Sequence, residues 1–175
     1  MEPIVSELWV AERTWQPAGS GDAVFVEVLE GKKSRALEII DRIRPETELP
    51  ILLHMLIEEP VEDLQVWHQR GADGITMAWN PSLSAQTFDD LRAVGFLCGI
   101  SIEVDLEGWR TKIDPLWPLL DMVVVRDRED GVRAHTIVKD LRAVRGTKER
   151  PLLGIKCLSE PTYRAEVDLW IHPSE

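Results

Sequence analysis

The sequence predicts an α/β fold in one domain over residues 1–175, a minimal (β/α)8 barrel with its first and last helices missing or reduced. Three observations predict it. Short β-rich runs alternate with stretches whose apolar residues return at helical spacing, and most of these units recur every ~25 residues, the cadence of parallel β-α-β architecture. The β-rich runs are apolar almost throughout, which suits parallel strands covered on their outer face. Eight such runs fall within 175 residues. So many strands in a short chain favour closure into a barrel over an open doubly wound sheet, the alternative architecture.

Taken in order, Ile4 to Val10 is the expected first strand. Glu12 to Asp22 has no helical periodicity, so the first helix is expected to be missing or reduced. Ala23 to Leu29 is the second strand, and Ala36, Leu37, Ile39, Ile40 and Ile43 mark the helix after it. Leu49 to Ile57 is the third, followed by a short helix through Val61, Leu64 and Trp67 that Gly71 ends. Gly74 to Trp79 is the fourth. Ser82 or Ser84 caps the next helix, which carries Ala85, Phe88 and Leu91 and closes at Gly95. Phe96 to Val104 is the fifth. Trp109, Ile113, Leu116, Trp117 and Leu120 share a helical face that Pro115 and Pro118 must shorten or bend. Met122 to Val125 is the sixth, and Ile137, Val138, Leu141 and Val144 give the clearest helix. Leu152 to Leu158 and Leu169 to Ile171 complete the set, with no helix expected after the last strand.

The net charge of −11, with no offsetting cluster of Lys and Arg, argues against nucleic acid and anionic membranes as partners. A small anionic ligand stays open, because a few local cations can hold one. No apolar run approaches the ~18 residues of a membrane span. Met1-Glu2-Pro3 lacks the basic, then apolar, pattern of a signal peptide. The expected location is the cytoplasm, where Cys98 and Cys157, both in apolar runs, are read as buried thiols rather than a disulfide.

Leu49-Pro50-Ile51-Leu52-Leu53-His54-Met55-Leu56-Ile57-Glu58-Glu59-Pro60 resembles the strand signature L-P-x-D-V-H-L-M-I-x-x-P of ribulose-phosphate 3-epimerases, a TIM-barrel family. Gly71-Ala72-Asp73-Gly74-Ile75-Thr76 is similar to that family's G-A-D-x-I-T. Phe25 to Gly31 is similar to its H-x-D-V-M-D-G, and Asp121 to Val125 to its sixth strand. The resemblance runs from about Ala23 to Val125. It implies a sugar-phosphate isomerase of carbohydrate metabolism. It also implies a divalent metal held by two His and two Asp, with the two Asp as the acid–base pair. Here His54 matches one His and Phe25 the other. Glu27 matches the first Asp, and Ile155 the second. Two of four ligands remain, too few to hold a metal against water, so no cofactor is expected. The glycine-rich phosphate loops are matched by Arg126 to Arg133, by Lys156-Cys157 and by Pro173-Ser174-Glu175, so no glycine cradle remains.

The candidate site is therefore Glu27, His54 and Lys156, expected to face into the barrel, with Glu103 and Arg126 at the ends of the fifth and sixth strands. Two readings stay open. One is a structural ion-pair network at the barrel mouth, with His54 a neutral core histidine. The other is an altered sugar-phosphate isomerase or lyase, with Glu27 as base, Lys156 or Arg126 holding the anion, and Lys156 open to Schiff-base chemistry if desolvated. A non-catalytic barrel that binds a ligand or partner is the third function considered. Epimerase activity itself is not expected. His68 and His135 are read as surface residues and His172 as lying toward the same mouth. Trp9, Trp15 and Trp170 are read as covers for strands without helices, or as a dimer contact. With Leu8, Val10, Leu169 and Ile171 expected to point outward there, a homodimer through this seam is the expected assembly.

Overall fold

The computed structural model describes residues 8–13, 21–57, 63–129, 131–148, 150–158 and 167–173. The strands are β1 (Leu8–Arg13), β2 (Gly21–Leu29), β3 (Ile51–Leu56), β4 (Gly74–Ala78), β5 (Leu97–Glu103), β6 (Met122–Arg126), β7 (Leu152–Lys156) and β8 (Leu169–Pro173). The helices are α1 (Lys33–Ile43), α2 (Leu64–Gln69), α3 (Ala85–Val94), α4 (Trp109–Ile113) and α5 (Val132–Arg145), one after each of β2 to β6. Pro115 and Pro118 hold α4 to five residues and leave a 3-10 turn, Trp117–Leu119, behind it.

Seven strands, β2 to β8, run side by side, each parallel to the next. The ring closes through β1, which is antiparallel to both β2 and β8. This corrects the expectation of eight parallel strands. The cause is the length of the connection. Residues 14–20 alone join β1 to β2, and a parallel crossover needs about a dozen or more residues. So short a connection reverses the chain. The first strand also runs on to Arg13, beyond the expected Val10; its expected residues 4–7 lie outside the described residues, as do Val61 and Trp15.

Two cores result. Outward residues such as Val28, Met55, Ile100, Val125 and Ile155 pack under the helices. Trp9, Phe25, Leu52, Met122, Val124, Leu169 and Ile171 fill the barrel's interior. Gly99 is required there, since a Cβ would lie 2.6 Å from Thr76 Oγ1 and 3.3 Å from the Met122 carbonyl. Trp9, expected as an outer cover, is inside the barrel. Leu169 and Ile171, expected to face outward, point inward too. The alternate residues Trp170 and His172 stack on the outer face of β8 at 4.3 Å, so His172 does not reach the interior of the mouth. Leu169 and Ile171 thus leave the expected dimer seam, while the side chains of its other two residues, Leu8 and Val10, lie outside those described.

The N-terminal ends of the strands share a repeated device. Asp73, Asp121 and Asp168 stand just before β4, β6 and β8. Each accepts the first or second backbone N–H of the preceding strand, from Ile51 (2.8 Å), Cys98 (2.9 Å) and Leu153 (2.8 Å) respectively. Each also pairs with an arginine, Arg44 (3.0 Å), Arg150 (3.1 Å) and Arg145. The Arg145–Asp168 pair is buried, and Arg145 also donates to the Pro151 carbonyl (3.1 Å). The capping Asp pins strand pairs β3/β4, β5/β6 and β7/β8 at one end of the barrel, leaving the opposite end for side chains with other work.

Candidate functional site at the C-terminal mouth

Polar groups inside the barrel lie toward the C-terminal ends of the parallel strands, the end where barrels of this kind place their chemistry. Pleating decides which residues arrive there. Glu27 on β2, two residues beyond inward Phe25, is inward and buried, and its register partner on β3 is His54. On β7, Gly154 and Lys156 face in, while Ile155 packs in the outer core. Ile155 therefore does not occupy the second acid–base position, as the sequence resemblance implied. The inward residue at that level is Lys156.

Lys156 is the hub. Its ammonium is ion-paired with Glu27 and donates to His54 Nδ1 at 3.0 Å. It also sits 4.1 Å from the centroid of the Trp9 ring, a cation–π contact supplied by β1. With Nδ1 accepting, the neutral imidazole carries its proton on Nε2, which donates to Ser101 Oγ on β5 at 2.8 Å. Burial pushes the Lys156 ammonium down to about 8, against the pull of the Glu27 carboxylate. Burial, then the charges of Lys156 and Arg126, hold the His54 imidazole well below its ordinary 6.5. At neutral pH the chain therefore reads carboxylate, ammonium, neutral imidazole, hydroxyl.

Ser101 opens onto a cavity of about 330 Å³, also lined by Trp79, Glu103, Asp105, Glu107 and Arg126. Sequence reasoning missed Ser101. It stands two residues before Glu103 on the fifth strand, on the same face, and nothing else in the sequence marks it. Glu103 and Arg126, register partners on β5 and β6, form an ion pair at the mouth. Arg126 is thus engaged by a carboxylate, and Glu27 does not reach the cavity wall because Lys156 holds it. Beyond β6, Asp127 is buried and accepts from the backbone N–H of Glu129 (3.0 Å) and Ala134 (3.4 Å). These donors near the start of α5 are the kind that would face a phosphate, and an internal carboxylate takes them. A second cavity, about 220 Å³, lies at the opposite end among Leu52, Met122, Leu152 and Leu169. Asp22, Thr76, Asp121 and Arg150 also line it.

The residues present do not fit a divalent metal. Glu27 and His54, matched to ligand positions, both contact the Lys156 ammonium, so a fixed cation stands between them. Among the described residues no group of three or more His, Cys, Asp or Glu is placed to hold a metal ion. Cys98 and Cys157 are buried free thiols. His68 is exposed, its ring edge-on to Phe96 at 5.4 Å, whereas His135 is half-buried rather than on the surface. Among the described residues no helix is long and apolar enough to cross a membrane.

No family model matches the chain. Among solved structures it is similar to engineered variants of the tryptophan synthase α-subunit from the hyperthermophile Pyrococcus furiosus. One shares 17% identity at a TM-score of 0.52, with 69% of this chain and 51% of that chain covered. Another shares 15% at 0.54 over the same shares, and a third 19% at 0.54, covering 71% and 54%. The chain spans about half the length of these structures. Likeness at this level establishes a shared TIM-barrel architecture, and it does not single out the epimerases.

Proposed function

We propose that the protein is an acid–base enzyme of the isomerase or lyase type, acting at the C-terminal mouth of the barrel on a small hydroxylated carbonyl compound. The observation that carries this reading is the unbroken run of hydrogen bonds from Glu27 through Lys156 and His54 to Ser101 in the cavity wall. Ser101 Oγ accepts from His54, which leaves its own proton free for a substrate oxygen. A carbonyl held there is polarised, and the Lys156 charge behind His54 stabilises the negative charge that develops on it. Glu103, at the same wall, is the carboxylate within the cavity suited to take a proton from the adjacent carbon. Glu27 positions Lys156 and is not the base.

A structural ion-pair network is the competing reading, favoured by the enclosure of Lys156 and Glu27, with side chains 3% and 5% exposed. Deuterium exchange separates the two. The protein is incubated in D2O with a panel of small aldoses and ketoses and their phosphates, and loss of the C–H signal next to the carbonyl is followed by NMR. The proposal expects exchange on at least one panel member, slowed about 10²–10⁴-fold by Ser101→Ala. No exchange on any member, or exchange indifferent to Ser101→Ala, supports the structural network.

A further inference from the structure

We infer that the compound held in this cavity is an uncharged sugar rather than a sugar phosphate. The inference rests on the reading of the cavity as a substrate site. Its described wall carries three carboxylates, Glu103, Asp105 and Glu107, against one guanidinium, Arg126. That guanidinium is already paired with Glu103. A phosphate monoester carries about two negative charges at neutral pH, and it needs uncommitted cations or free backbone N–H groups. Two N–H groups beside the mouth, those of Glu129 and Ala134, are committed to Asp127. Within this cavity a dianion would have to displace Glu103 from Arg126 and then lie among the remaining carboxylates; Arg128 and Arg133 line the adjoining cavity instead, together with Glu103, Asp105, Asp127 and Glu129.

Sugar hydroxyls make the opposite demand. They donate to carboxylates and accept from Arg126 and Ser101 without breaking the existing pairs. Trp79 adds an apolar ring face against which the C–H side of a sugar ring can lie. Lys112 Nζ already stands 4.7 Å from the centroid of that ring, where it donates to the Glu107 carbonyl (2.6 Å). The ring's cation contact is therefore filled from within the chain, which disfavours an ammonium ligand as occupant. At about 330 Å³ the cavity is at the small end of the ~300–1,000 Å³ range of small-molecule sites, a size for a monosaccharide.

The test is ligand-observed saturation-transfer NMR on the full chain with free pentoses and hexoses, their 5- and 6-phosphates, and choline. Saturation transfer to at least one free sugar, lost in Trp79→Leu, is the expected result. The phosphate of that sugar should bind at least about tenfold more weakly. The paired substitution Asp105→Asn with Glu107→Gln should move the sugar-to-phosphate affinity ratio about tenfold toward the phosphate, a shift that a merely structural role would not produce. Tighter binding of the phosphate, binding of choline alone, or no binding of any free sugar overturns the inference. Sugar binding without deuterium exchange overturns the proton-transfer proposal and leaves this inference standing. Exchange confined to phosphates does the reverse.

Discussion

Lys156 on β7 and His54 on β3 meet across the barrel interior, with the ammonium donating to Nδ1 at 3.0 Å. The direction of that bond limits the chemistry. A histidine that donates through Nε2 to Ser101 cannot at the same time draw the serine proton, so the array is not a serine nucleophile with its general base. A carboxylate on Nδ1 would favour such a base; the cation found there favours the neutral ring and leaves Ser101 a hydrogen-bond donor toward the cavity.

Stability should rise with pH where Lys156 loses its proton. The unfolded side chain titrates near 10.5 and the folded one at about 8. Between those values the unfolded state binds more protons, so folding becomes more favourable as pH increases, by up to about 1.4 kcal/mol per pH unit from this group. Urea unfolding of the wild type and Lys156→Met at pH 7.5 and 10 checks it. The wild type should gain relative to the variant at the higher pH; an unchanged difference would mean an ordinary lysine.

Asp168 should be the costliest of the three capping aspartates to remove. Asp168→Ala leaves Arg145 buried without its counter-ion and the Leu153 N–H without its acceptor, a loss of about 3–5 kcal/mol. Asp73 and Asp121 pair with more exposed arginines, so their loss should cost about 1–2 kcal/mol, mostly through the strand N–H each accepts. Chemical denaturation of the three variants should give that order.

Gly99→Ala should destabilise by about 1–3 kcal/mol, because its Cβ enters Thr76 and the Met122 carbonyl. Gly154→Ala is the control. Its Cβ meets nothing closer than 3.5 Å and should cost under about 1 kcal/mol. Thermal melts of the pair give the comparison.

Ribulose 5-phosphate should not be epimerised at an enzyme-like rate, and protein purified without chelator should carry no stoichiometric zinc, iron or manganese. A coupled assay and elemental analysis check these. Turnover abolished by Glu27→Gln, or one metal equivalent lost in His54→Ala, would show that the Lys156 ammonium has not displaced the metal.

Alternation of apolar runs and helical stretches made the seven parallel strands and five helices legible in sequence, along with the inward placement of Glu27 and His54. The reversed β1 was not read, because the expected bounds at Val10 and Ala23 left about a dozen residues for a crossover, whereas the strands as formed end at Arg13 and begin at Gly21. On β7 the family motif aligns Ile155 with an acid, but the pleat turns inward Lys156, the residue whose charge within an apolar strand had already placed it in the candidate site. Ser101 was invisible for another reason. A lone serine in a strand has no signature until its partner two strands away is placed beside it. The same holds for the repeated Asp at residues 73, 121 and 168, which reads as a pattern once its strand N–H partners are known.

The most direct test of the central claim is the tautomer and titration of His54, read from its ring-nitrogen resonances by two-bond ¹H–¹⁵N NMR between pH 8 and 5. The account predicts a neutral ring protonated on Nε2 throughout, because burial and the Lys156 charge hold its pKa well below 6.5. Lys156→Met should raise that pKa. A His54 ring that titrates near 6.5, or carries its proton on Nδ1, would contradict the chain from Glu27 to Ser101.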